Sequence, residues 1–472
     1  MDLRPGVLLL LAACAVGPNF QRPSPPASQR YLHEPGPAAV SAEGARQRFE
    51  PGAELPPKWW RLFRCARLDA LVADALSHNR TLEAAEAALR QSERLLQAGY
   101  GVFYPPVELD AGASRQKFNP RSFGISQIPA SAFNLFSLSA GVSYALDVFG
   151  GERRQVEALG AQRDLQRYES YAARLTLAGN VVQTVAARAG YLEQVRATAD
   201  LIAGEADQVK LATDQARAGV GTWLSVAGLA SQLAATQATL PALQQRIDQA
   251  EHLLATLSGR APGEFSPPEI SLGDLSLPTE VPVTLPAELV GRRPDVRAAE
   301  AQLHTANAQI GVATAALLPR FTLTPSVGLQ SNEITSLFSA SSVVWNLGAG
   351  LTAPLFEGGT LWFQRKAAIE ARAQALASYR ATVLSALQQV ADSLRALEHD
   401  AQVLEAEGRA LRASEDGLRW ARANFRAGVA SYLQVLVANG QLLQARLAYA
   451  QAVSQRLQDT AALFVALGGG WK

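Results

Sequence analysis

Two patterns of hydrophobic and polar positions divide this chain. In four stretches, apolar and polar residues step strictly in turn. Val107, Leu109, Ala111 and Ala113 alternate with Glu108, Asp110, Gly112 and Ser114. Phe136, Leu138, Ala140, Val142, Tyr144 and Leu146 alternate with Ser137, Ser139, Gly141, Ser143 and Asp147. Further on, Phe321, Leu323, Val327 and Leu329 alternate with Thr322, Thr324, Ser326 and Gln330. Val343, Trp345, Leu347, Ala349 and Leu351 do so with Asn346, Gly348, Gly350 and Thr352. A period of two over about ten residues predicts a strand with one apolar and one polar face. The second pattern is long and helical. No proline falls between Ala130 and Leu240 and none after Pro354, and proline breaks helix interiors. Glu152–Ala216, rich in Ala, Leu, Gln and Arg, reads as one helix of about 100 Å at 1.5 Å per residue. A segment so far beyond ~25 residues indicates a coiled coil, a membrane span or a helical repeat; its charges exclude the span.

The pattern occurs twice. AAEAAL at Ala84–Leu89 matches AAEAQL at Ala298–Leu303, an offset of 214. The pair Gly150-Gly151 matches Gly358-Gly359 at 208, and RAGV at Arg217–Val220 matches Arg426–Val429 at 209. Matches in one order at nearly one offset indicate a duplicated unit, each copy running helix, two strands, long helix, RAGV turn, returning helix. The expected division is a signal peptide (1–13), a lipidated extended linker (14–66) and a first repeat (67–261) with its hairpin at 106–148 and turn at 217–222. A Pro-rich connector (262–286) leads to a second repeat (287–467), with its hairpin at 319–355 and turn at 426–431, and a tail (468–472).

A half-buried soluble sheet would also alternate. The strand lengths suit an outer membrane, the polar face is small and mostly uncharged, and the loops Phe118–Leu135 and Ser331–Ser342 are of the longer, outward type. These favour a lipid-facing barrel. Four strands cannot close one, because single-chain barrels start at about 8, and lipid tolerates no open edge. The protomers must therefore assemble. The expected fold is a mixed α+β membrane protein: a long α-helical coiled-coil tunnel plus a transmembrane β-barrel built from four strands per protomer, with an internal twofold repeat.

Composition narrows the function. The net charge of +1 over 472 residues offers no nucleic-acid surface. No P-loop, HExxH or GxSxG motif is present, so no enzyme constellation and no cofactor or metal site emerges. The N-terminus, MDLRPGVLLLLAAC, has Arg4 as a short positive region and an apolar run over Val7–Ala13 too short to span a bilayer. Leu11-Ala12-Ala13-Cys14 has the form of a bacterial lipobox, which would acylate Cys14; the plain alternative is a free cysteine after a signal peptide. Ala15 after the cysteine favours the outer membrane. No later run of 18 apolar residues exists.

Five pieces carry a family resemblance: CAVGPNFQRP after the lipobox, PPKWWRLF at Pro56–Phe63, LDVFGG at Leu146–Gly151, ELVGRRPDVRAAEAQL at Glu288–Leu303 and GVASYLQVLVANGQLL at Gly428–Leu443. In these the chain resembles the outer membrane factors of tripartite efflux systems, in the NodT/OprM-like lipoprotein branch related to TolC. The resemblance implies a homotrimer with a 12-stranded barrel and a 12-helix periplasmic tunnel. It further implies a passive duct coupled through a periplasmic adaptor to an inner-membrane transporter, of RND type, exporting drugs, organic acids or similar small molecules. A type I protein-secretion channel shares the architecture; a pore-less coiled-coil scaffold would not need membrane-crossing strands.

The resemblance places the two RAGV turns at the periplasmic tip, where Arg217, Gly219, Val220, Arg426, Gly428 and Val429 would meet the adaptor. Gly219 and Gly428 would supply the left-handed backbone of a helix reversal, and Arg217 and Arg426 a cation in the last helical turn. Relatives often carry a ring of acids just after the second tip. Gln434 and Val437 stand at the matching positions, with Ser225 at that of Gln434 in the first copy. An uncharged periplasmic constriction is therefore expected. Pro241 is read as either a kink or a helix boundary, and Pro294 and Asp295 as a helix start. Trp59 and Trp60 are read as an anchor for the N-terminal segment or as interfacial tryptophans. Cys65 is read as a buried thiol, or as the disulfide partner of Cys14 if that residue is not acylated.

Overall fold

The computed structural model describes residues 15–26, 28, 30–34, 36, 38–119 and 130–469. In chain order the elements are β1 (Ala39–Ala42), β2 (Ala45–Pro51), α1 (Ala66–His78), α2 (Arg80–Gly99), β3 (Val107–Phe118), β4 (Ser131–Val142) and β5 (Tyr144–Leu146). Then come α3 (Gly151–Arg217), α4 (Trp223–Gln237), α5 (Leu240–Leu257), β6 (Glu280–Val283), α6 (Pro286–Arg292) and α7 (Pro294–Ala315). The chain ends with β7 (Arg320–Ser331), β8 (Val343–Thr352), α8 (Thr360–Arg426) and α9 (Tyr432–Ala466). The two long helices, α3 and α8, are each 67 residues long. The described residues fall into two compact units, those within 1–23, 89–165 and 299–379, and those within 24–88, 166–298 and 380–472.

The first unit holds the large antiparallel sheet, ordered β3-β4-β7-β8, with β5 continuing the line of β4 along β7. Its register carries the alternation across all the strands. Leu109, Ala140, Val327 and Trp345 form one transverse row, and Ala111, Leu138, Leu329 and Val343 the next on the same face. Between them runs Asp110, Ser139, Gly328 and Val344 on the other face. The outer rows are open: Leu109 is 73% and Trp345 77% exposed. The strand expected over Phe136–Asp147 is broken at Ser143. Pairing with β7 stops at Gly141 opposite Ser326 and resumes at Tyr144 opposite Leu323. Pro325 lies in the gap and has no N–H to donate to a ladder.

The strand-to-helix junction is built from LDVFGG. The Asp147 carboxylate accepts the backbone amides of Glu152 and Arg153, both at 3.0 Å, satisfying first-turn donors of α3. Gly150 turns the chain at φ +77°. A side chain there would collide with Ala15, which lies against it. Val16 donates its N–H to the Phe149 carbonyl at 2.9 Å. Arg154, only 5% exposed, donates to the Val16 carbonyl at 3.1 Å and to Asn19 Oδ1 at 2.7 Å.

In the second unit the segment expected as an extended linker forms structure of its own. β1 and β2 make a hairpin, and β6, from the Pro-rich connector, adds in parallel beside β2. Glu43 (φ 47°) and Gly44 (φ 78°) form its two-residue turn, the left-handed pair that matches strand twist. Beneath it Gln47, fully buried, accepts from Arg456 at 3.0 Å and donates to Thr460 at 3.3 Å. These two bonds tie the N-terminal segment to α9, while Arg456 Nη1 stays buried without a partner. Trp59 and Phe63 pack on Phe464 with ring centroids 5.6 and 6.3 Å apart, so Trp59 is a core anchor.

Candidate functional site

Each long helix ends in the same reversal, and the hydrogen bonds show why the glycine is needed. In the first copy Gly219 (φ 77°) donates to the Ala216 carbonyl at 3.2 Å and Val220 to Gln215 at 3.0 Å. In the second, Gly428 (φ 72°) donates to Phe425 at 3.0 Å and Val429 to Asn424 at 2.9 Å. These are the paired bonds of a Schellman motif, in which a left-handed residue lets two amides turn back onto orphan helix carbonyls. Arg217 and Arg426 occupy the last turns of α3 and α8, where a cation opposes the negative helix end. Arg217 is 3.8 Å from Asp214, with both side chains solvated.

The motif usually buries an apolar residue beside the glycine; here both valines point outward. Val220 and Val429 are each 80% exposed, and Leu224 and Leu433 are also exposed. Thr222 caps α4 by accepting the Ser225 amide at 3.2 Å, and its hydroxyl lies 2.8 Å from that of Ser225. Ser431 begins α9 without a side-chain cap. The second turn is stiffened instead by Phe425 and Tyr432, edge to face at 5.0 Å. Burial raises the Tyr432 hydroxyl pKa to about 12, with Glu205 adding to the shift and Arg422 opposing it.

Ser225, Gln434 and Val437 are all exposed on their helices. Pro241 stands at the start of α5, after a break at Ala238–Thr239, so it marks a helix boundary. Pro294 opens α7. Arg293 forks onto Asp295 at 2.6 and 2.9 Å and donates to the Ala466 carbonyl at 2.8 Å, a C-terminal contact for α9 that the motif alone did not disclose. Cys65 is buried and free. Cys14 and the expected signal peptide at 1–13 lie outside the described residues. No helix among the described residues is long and apolar enough to cross a membrane, which bears on helices and not on the sheet.

An open four-stranded sheet with a solvated apolar face, together with paired long helical hairpins, is the chain architecture of an outer-membrane channel. The chain belongs to the outer membrane efflux protein family, which it matches over residues 71–260 and 285–469. It is 32% identical over 420 residues to the pyoverdine export outer membrane protein OpmQ of Pseudomonas aeruginosa, covering 88% of each chain. It is 30% identical over 473 residues to the outer membrane protein OprJ of the same organism, covering 98% of this chain and 95% of that one. Among solved structures it is similar to the outer-membrane channel OprN, with a TM-score of 0.87, 28% identity, and 97% and 100% of the two chains covered. The protein is thus an efflux channel component of the outer membrane.

Proposed function

We propose that the chain is one of three identical protomers of a 12-stranded barrel and 12-helix tunnel, serving as a passive duct for small molecules. In this reading a periplasmic adaptor docks at the RAGV tips and delivers substrate from an inner-membrane transporter of RND type. Cys14 is acylated and anchors the assembly in outer-membrane lipid. The observation that carries the reading is the sheet, whose outer strands β3 and β8 each pair on one side only among the described residues. Lipid leaves no unpaired edge, since each unsatisfied backbone group there costs several kcal/mol; three copies close the ring and widen it enough for a helical tunnel. The exposed Val220, Leu224, Val429 and Leu433 support the docking role, being apolar side chains held outward on stiff turns. With Gln434 and Val437 at the mouth, the constriction carries no ring of like charges and imposes no strong cation preference.

The test is export in cells lacking the native channel, with Arg217→Glu and Arg426→Glu combined. Export should fall while the trimer stays in the membrane. Intact export would refute the tip assignment, and loss of the trimer from the membrane would refute the placement of the tips away from the assembly contacts.

A further inference from the structure

A cavity of about 570 Å3 opens beside the second hairpin, between α3 and the α8–α9 pair. Four arginines line it, Arg419, Arg422, Arg426 and Arg446, against Asp200 and Glu415. Two of the arginines are neutralised. Arg419 pairs with Asp416, and Arg446 lies 3.7 Å from Glu415. Arg422 and Arg426 have no carboxylate within 4 Å among the described residues, and Asp200 forms no ion pair either. Glu205, about one turn further along α3, does not line the cavity.

The decisive group is Asn439. It lines the cavity, is 1% exposed, and its Nδ2 has no hydrogen-bond partner. Its orientation follows from Arg422, which donates to Asn439 Oδ1 at 3.4 Å; a guanidinium only donates, so the oxygen faces it and the NH2 is the group left unpaired. A buried donor left unpaired costs about 1–3 kcal/mol. The first copy keeps only one of these groups at the same offset: Arg217 matches Arg426, but Thr213 and Ala230 take the places of Arg422 and Asn439.

We infer that this cavity binds a carboxylate group, held by the Arg422 and Arg426 guanidinium groups and the Asn439 amide. All three are donors, and an oxyanion is acceptor-only. Arginine's planar fork matches a carboxylate in a two-bond geometry. The inference does not depend on the tips docking a partner. A free organic anion or a Glu or Asp side chain of a bound protein would supply the same chemistry.

The experiment uses the full chain purified from outer membranes in detergent, titrated with sodium malonate and, at equal ionic strength, with sodium chloride. Binding is read by calorimetry. Malonate should bind saturably and chloride should not, and the double variant Arg422→Gln/Arg426→Gln should weaken malonate about tenfold or more. Asn439→Leu, which removes the orphan donor without a charge change, should weaken it about fivefold while leaving the protein's melting temperature equal or higher. Competition by a capped helical peptide bearing one glutamate assigns the site to a partner's side chain; malonate binding without competition assigns it to a free anion. Malonate behaving as chloride does, or binding unchanged in the double variant, overturns the proposal.

Discussion

Gly428→Ala and Gly440→Ala should act in opposite directions. Gly428 sits at φ 72° with open space around its Cα. An alanine there meets no neighbour, so the whole cost is the left-handed backbone, about 1–2 kcal/mol for an L-residue. Reduced freedom of the unfolded chain returns a few tenths to ~1 kcal/mol, leaving a net loss of about 1 kcal/mol. Gly440 lies within α9, also with nothing near its added Cβ. Alanine there removes a helix-interior glycine and stabilises by about 0.5–1 kcal/mol. Global unfolding is a poor readout, because a hairpin tip opens locally at much lower free energy than the core. Hydrogen exchange of the Val429 and Ala430 amides, which donate to the Asn424 carbonyl at 2.9 and 3.3 Å, reads the tip directly. Gly428→Ala should speed their exchange about fivefold, from ~1 kcal/mol at RT near 0.6, and Gly440→Ala should not speed it. Unchanged or slower exchange in Gly428→Ala would refute the Schellman reversal.

Burial, with the Asp459 carboxylate beside it, raises the Asp400 pKa to about 7 against the partial offset of Arg456. A raised carboxyl stabilises the fold below its unfolded pKa, and that contribution is lost as pH rises through about 4 to 7. Asp400→Asn should therefore melt higher than wild type above pH 7, by an amount worth ~1–2 kcal/mol after discounting for partial exposure, and the gap should close by pH 4; a pH-independent gap would contradict this. Replacing Val437 by Asp should turn the proposed constriction cation-selective, read as a shifted reversal potential in planar bilayers under a salt gradient. Gln47→Leu should lower the melting temperature by several degrees, because it leaves the buried Arg456 Nε without its acceptor at a cost of about 1–3 kcal/mol.

The long helices, the four alternating stretches and the two reversals were legible because each is written locally, in proline absence, period two and a glycine at a fixed offset. The break at Ser143 was not, because its cause is Pro325, across the sheet and 182 positions along. The β1–β2 hairpin hid inside a proline-rich segment, and Glu43-Gly44 is a weaker turn signal than Asn-Gly or Asp-Gly. The parallel addition of β6 joins residues more than two hundred positions apart. Of the site, the glycines and arginines of the tips could be named from the repeat. The arginine-lined cavity could not: Arg422 and Asn439 come together only once α8 and α9 pack.

The most direct measurement is the mass of the full chain extracted from outer membranes in mild detergent, by native mass spectrometry. A stable species of three protomers is expected, with the β3 and β8 backbone amides protected from exchange by strands of neighbouring copies. A stable monomer whose β3 and β8 outer amides exchange freely would contradict it.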